Sequence, residues 1–179
     1  KFLTLYALST ENWKRPKKEI NYLLKLLERF IDKELKNLSK NNVKIKILGD
    51  INKFPENLKN KLKKTVNITR LNKNIQINIA LNYGSRQELI NSIKKINKKK
   101  LAINEKNINN NMYTSNIPDP EILIRTGNTK RLSNFLMWQS IYTEIFFVNK
   151  LWPDFKKNDF NKILKKFHNI NRNFGGLNE

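Results

Sequence analysis

The 179 residues suffice for one domain that buries about two-thirds of its unfolded surface, and the lack of cysteine excludes a disulfide frame, a thiol nucleophile and Cys-ligated zinc. The only histidine, His168, falls in a helical pattern and argues against a multi-histidine metal centre, while no apolar run approaches the roughly 20 residues of a membrane span. A net charge of +21 admits a polyanion-binding patch, but lysines crowd polar stretches such as Lys61, Lys63, Lys64 and Lys98 to Lys100, and the Lys/Asn/Ile bias of an AT-rich genome explains that without a nucleic-acid partner.

The chain opens on Phe2 to Leu8, an apolar β-rich run that reads as a buried parallel strand rather than a signal peptide, so a cytoplasmic location is expected. A polar loop, Ser9 to Pro16, surrounds Trp13. Pro16 suits the start of a helix, and Glu19 sits where the positive helix end favours a carboxylate. From Glu19 to about Leu38, the residues Ile20, Leu23, Leu24, Leu27, Phe30, Ile31 and Leu35 recur at helical spacing. Asn41 and Asn42 mark a turn before a second strand, Val43 to Leu48, which ends at Gly49-Asp50. Pro55 begins a weaker helix to about Leu71, and Ile75 to Leu81 is a third strand. Ser85 is placed to cap a helix over 86–99, with Leu89, Ile90, Ile93 and Ile96 as its core stripe. Asparagine-rich 104–116 predicts a short, loosely held helix anchored by Ile108, Met112 and Tyr113.

Ile122 to Ile124, with Pro118 and Pro120 before it and Gly127 after it, reads as a short buried strand. Beyond it lie Arg125, Arg131, Ser133 and Asn134, all hydrogen-bond donors. Ligands of open α/β sheets sit outside the carboxyl ends of strands, and two guanidinium forks suit a phosphate or diphosphate. Glu144 follows on the next element, and a last helix spans about Lys157 to Arg172. Strands alternating with helices predict a mostly parallel sheet flanked by helices, in a single α/β domain.

The five glycines form neither G-x-G-x-x-G nor G-x-x-x-x-G-K-[ST], so a phosphate must be held by arginines, hydroxyls and helix N-termini. A metal must be held by carboxylates, which favours Mg²⁺. Trp152 reads as a core aromatic.

Four stretches carry a resemblance: LTLYALSTENWKRP at Leu3 to Pro16, INIALNYGSRQEL at Ile77 to Leu89, the segment 118–155 with its IRTGNTKRLSNF, and RNFGG at Arg172 to Gly176. Together they resemble the cis-prenyltransferase family, in particular the undecaprenyl diphosphate synthases. The resemblance implies a homodimeric α/β enzyme that uses Mg²⁺ and adds isopentenyl diphosphate to an allylic primer, usually farnesyl diphosphate, with cis double bonds. It matches Arg125, Arg131 and Ser133 to isopentenyl diphosphate binding and Arg15 to the allylic diphosphate. It matches Ser9, Asn12 and Trp13 to a loop that closes over the reacting pair, Glu19 to a catalytically important acid, and Glu144 to a metal-binding carboxylate. It also implies an apolar channel for the growing chain, which Ala7, Ile79 and Leu81 with Leu23 and Leu27 can line unless they serve as ordinary core, together with transient contact with a membrane surface for product release and no nucleic-acid partner.

The chain departs from the family pattern in several places. Nothing in it matches an H-x-x-x-M-D-G-N-x-R-W stretch, so an N-terminally truncated domain without its first strand and helix is expected, inactive as written. Asn128 and Thr129 stand where the family has Gly-Glu, Asn173 stands for an arginine beside Arg172, and Leu81 stands near the channel where alanine is common. The alternatives are a non-catalytic partner subunit of the same fold and, remotely, a basic nucleic-acid-binding domain.

Overall fold

A computed structural model describes residues 1–174, and of Lys36 the backbone alone; Gly175 and Gly176 of the R-N-F-G-G stretch lie outside them. The chain divides into two compact units, residues 1–117 and 118–179, and each is described by itself.

In the first unit, β1 (Phe2–Ser9), β2 (Val43–Leu48) and β3 (Ile75–Tyr83) form a parallel sheet in the order β1-β3-β2. Helix α1 (Lys17–Lys40) joins β1 to β2, α2 (Glu56–Thr69) joins β2 to β3, and α3 (Ser85–Lys98) follows β3. The parallel strands and intervening helices are the α/β class read from the alternation of periods. The helix periodicity locates the core: Ile20, Leu24 and Ile31 of α1 pack with Leu58 and Leu62 of α2, Phe54, and Leu8 and Leu81 of the sheet. Leu23, Leu27, Ile47, Ile79 and Trp13 pack against that cluster, whereas Ala7 is exposed.

Glycine is required at the end of β2. Gly49 has φ +120, and a Cβ there would lie 2.1 Å from the Leu81 carbonyl oxygen of β3. The strand's carboxyl end approaches its neighbour too closely for any side chain.

Three expectations for this unit need correction. Gly84, not Ser85, is the N-cap of α3; Ser85 is the first helical residue and is buried, because β3 extends two residues further, to Tyr83. Phe30 and Ile90, placed in core stripes by periodicity, are 53% and 47% exposed, since each falls at the margin of its apolar face. The asparagine-rich helix α4 (Glu105–Asn111) is firmly held rather than loose. Asn104 Oδ1 caps it by accepting from the Asn107 amide at 2.9 Å, Ser92 Oγ donates to the Ile108 carbonyl, and Ile108, Asn111 and Met112 are buried. Buried Glu88 then fastens the chain beyond α4: it accepts from the Tyr83 hydroxyl at 2.5 Å and from the Tyr113 amide at 2.9 Å.

In the second unit, β4 (Ile122–Arg125) pairs in parallel with β5 (Glu144–Phe147), with Ile122 opposite Glu144 and Arg125 opposite Phe147. The short E-I-F-F run that forms β5 is not among the strands predicted from the sequence. Helix α5 (Lys157–His168) ends four residues before Arg172, the predicted terminus. Trp152 is 65% exposed and stacks on Phe155 at 6.1 Å, because it lies in a one-turn 3-10 segment outside the apolar face, not in the core.

Candidate active site

In the first unit the site residues gather just past the carboxyl end of β1. Ser9 closes the strand, and residues 10–14 form a 3-10 turn that leads through Arg15 and Pro16 into α1. Asn12 organises this turn: its Oδ1 accepts from the Ser9 amide at 2.7 Å and its carbonyl accepts from the Arg15 amide at 2.9 Å. Trp13 is half-buried, with its indole Nε1 donating to Asn82 Oδ1 at 2.7 Å and its ring edge-on to Phe54 at 5.7 Å. Arg15 and Glu19, one helical turn apart, form an ion pair at 2.6 Å with side chains 50% and 45% exposed. Such an exposed pair contributes little to stability. Its guanidinium therefore remains open to exchange a carboxylate for a more highly charged diphosphate.

In the second unit Arg125 is the last residue of β4, and its Nε donates to Thr129 Oγ1 at 3.1 Å. The loop beyond it turns through left-handed backbone at Gly127, Asn128, Ser133, Asn134 and Leu136, with φ values between +44 and +91. Two are asparagines, which tolerate this region, but Leu136 is buried and held there by its surroundings. Arg131 is exposed, and its guanidinium has no hydrogen-bond or ion-pair partner among the described residues. A tightly wound loop that follows Arg125 at a strand's carboxyl end and itself bears Arg131 fits a diphosphate.

Glu144 does not join them. It opens β5 opposite Ile122, at the other end of the strand pair from Arg125, about 10 Å of strand rise away. Among the described residues no three His, Asp or Glu side chains come together to hold a metal ion. Glu144 is therefore one carboxylate ligand at most, and no step below is routed through Mg²⁺. Arg172 is engaged elsewhere: it donates to the Tyr142 carbonyl at 2.9 Å and lies over the Phe167 and Phe174 rings.

Two residues at these sites went unmarked in the sequence. Thr129 marks only a departure from the family pattern, and Asn82 lies inside the INIALNYGSRQEL stretch with no role assigned to it. The single sequence signal for Asn82 is an asparagine at a strand's carboxyl end, where a left-handed residue is wanted.

Both loops, S-T-E-N-W-K-R-P at the end of β1 and I-R-T-G-N-T-K-R-L-S-N-F from the end of β4, lie within the span that matches a known family. The profile of the undecaprenyl diphosphate synthase family matches residues 1–175. The chain belongs to this family. It is 46% identical to an isoprenyl transferase of Clostridium tetani over 184 aligned residues, covering 99% of this chain and 72% of the relative. It is 42% identical to the ditrans,polycis-undecaprenyl-diphosphate synthase of Haemophilus influenzae, described as specific for (2E,6E)-farnesyl diphosphate, covering 97% of this chain and 76% of that one. Among solved structures, an undecaprenyl diphosphate synthase from Campylobacter jejuni superposes with a TM-score of 0.91 at 40% identity, covering 98% of this chain and 84% of that one. Lavandulyl diphosphate synthase from Lavandula x intermedia, solved with dimethylallyl diphosphate, superposes at 0.93 and 30% identity, covering 98% and 79%. Among the described residues of this family member, no helix is long and apolar enough to cross a membrane.

Proposed function

We propose that the protein is a cis-prenyltransferase that condenses isopentenyl diphosphate with an allylic diphosphate, farnesyl diphosphate being the expected primer, to build a polyprenyl diphosphate of the undecaprenyl type. The observation that carries this reading is Arg125, set at the carboxyl end of β4 and braced by Thr129 in a loop that also bears the exposed Arg131. Family membership and the relatives' names support it.

The chemistry fits the residues. The allylic C–O bond breaks with its electron pair leaving on the diphosphate, and the alkene of isopentenyl diphosphate attacks the resulting allylic carbon. The new C–C bond leaves a cation that loses a proton to a nearby oxygen, giving the new double bond. Arg15 is proposed to hold the allylic diphosphate and stabilise the charge that accumulates on it as it leaves. Arg125, Arg131 and Ser133 are proposed to anchor the isopentenyl diphosphate by its own head group and so hold the alkene in attack geometry. Ser9, Asn12 and Trp13 form the segment over the reacting pair, and Glu19 releases Arg15 to the substrate by giving up its ion pair. Mg²⁺ would neutralise diphosphate charge when bound, and Glu144 is proposed as one of its ligands. A homodimer, and contact with a membrane surface during product release, complete the reading.

The test is prenyl transfer from radiolabelled isopentenyl diphosphate to farnesyl diphosphate, measured on the full-length protein that carries this chain. We expect Arg125→Ala and Arg131→Ala each to raise the KM for isopentenyl diphosphate by about 100-fold, as loss of a charge-assisted contact predicts. Turnover that is indifferent to both substitutions would remove the proposal.

A further inference from the structure

The end of β3 carries a device that strand pairing alone does not require. β1 and β3 pair evenly from Phe2 opposite Gln76 to Tyr6 opposite Ala80, then the register slips, so that Leu8 faces Leu81 and Ser9 faces Tyr83. Asn82 is the residue left over on β3, and it takes a left-handed φ of +47. A bulge of this kind re-aims a side chain at the end of a sheet. Here the amide, only 7% exposed, spans two segments: Oδ1 accepts from the Trp13 indole Nε1 at 2.7 Å, and Nδ2 donates to the Asp50 carbonyl at 2.6 Å. An acceptor must face the indole and a donor must face the carbonyl, so the orientation of the amide is dictated by its partners. The other hydrogen bonds described above for residues 9–15 run within the segment or to the first turn of α1. Ser9 pairs with Tyr83 of β3, and beyond it Trp13 fastens the segment, its indole bonded to Asn82 and its ring edge-on to Phe54.

We infer that Asn82 is a positioning residue of the reaction. By gripping the Trp13 indole it fixes the segment 9–15 in the conformation that presents Ser9, Asn12 and Arg15. It acts through Trp13 and touches no substrate itself. The inference rests on the proposed prenyl transfer, and its test has an arm that does not.

Asn82→Gly is the informative variant, because glycine accepts the left-handed φ that would strain alanine. Trp13→Phe keeps a ring against Phe54 and removes the N–H, and the two close a double-mutant cycle. Asn82→Gly should lower kcat/KM about tenfold in the native background and less than about twofold in the Trp13→Phe background, as loss of one shared hydrogen bond predicts. Amide hydrogen exchange should accelerate over residues 9–15 while the centres of β2 and β3 stay protected. Equal losses in both backgrounds, or unchanged exchange over 9–15, would overturn the inference. Should the parent protein show no prenyl transfer, the proposed reaction falls, and the exchange measurement still decides whether Asn82 holds the segment.

Discussion

At the scale of single residues, the arginines of the β4 loop differ in what holds them. Arg131 is exposed and has no hydrogen-bond or ion-pair partner among the described residues, so a bound diphosphate would have to order its rotamers. Arg125 is pre-aimed, since its Nε bond to Thr129 leaves the two Nη groups to make a bidentate contact. Thr129→Val keeps the shape and deletes the acceptor. It should raise the KM for isopentenyl diphosphate about tenfold with kcat little changed, read from steady-state kinetics with that substrate varied. A second residue-level expectation concerns Gly49. A methyl group 2.1 Å from the Leu81 carbonyl, at φ +120, cannot be accommodated without parting β2 from β3. Gly49→Ala should cost about 3 kcal/mol, seen as a lower urea midpoint at unchanged slope.

At the scale of elements, α5 shows how a helix terminus is fixed by charge. The Asp159 carboxylate accepts from the Lys150 ammonium at 2.8 Å and from the Lys156 amide at 2.9 Å. These bonds, the Lys150 contact foremost, hold its pKa below the ordinary aspartate value. A carboxyl whose folded pKa is depressed adds stability that is present above its unfolded pKa of about 3.9 and is lost as pH falls through the lower, folded value. The native protein should therefore lose thermal stability between pH 5 and pH 3 more steeply than Asp159→Asn, with melting followed by circular dichroism at both pH values. The α4 segment teaches a related lesson. Its asparagines look like linker, yet Asn104 caps the helix and Asn111 accepts from Lys99 at 2.7 Å, so they stabilise it through specific hydrogen bonds rather than through composition.

At the scale of the whole molecule, the charge of +21 lies mostly on exposed lysines and is expected to give weak binding to any polyanion. Binding to duplex DNA should lack sequence preference, fall steeply between about 50 and 200 mM salt, and be unaltered by Arg125→Ala; filter binding across a salt series checks this. Tight binding at the higher salt would instead revive the nucleic-acid reading. The sequence by itself determined the period of every long element, because apolar spacing of 2 or 3.6 is a local property: β1, α1, β2, α2, β3 and α3 lie within about two residues of where the pattern puts them. It also displayed the arginines, since their loop follows an apolar run closed by a glycine. Only the tertiary structure decided which groups meet. Asn82 with Trp13 are 69 residues apart, and no spacing rule links them. Strand β5 was missed because four residues are too few to show a period, and pairing with β4 defines them. The same holds for exposure: Phe30, Ile90 and Trp152 have core chemistry but face outward among the described residues, because burial is fixed by what packs on a surface and not by the side chain that forms it.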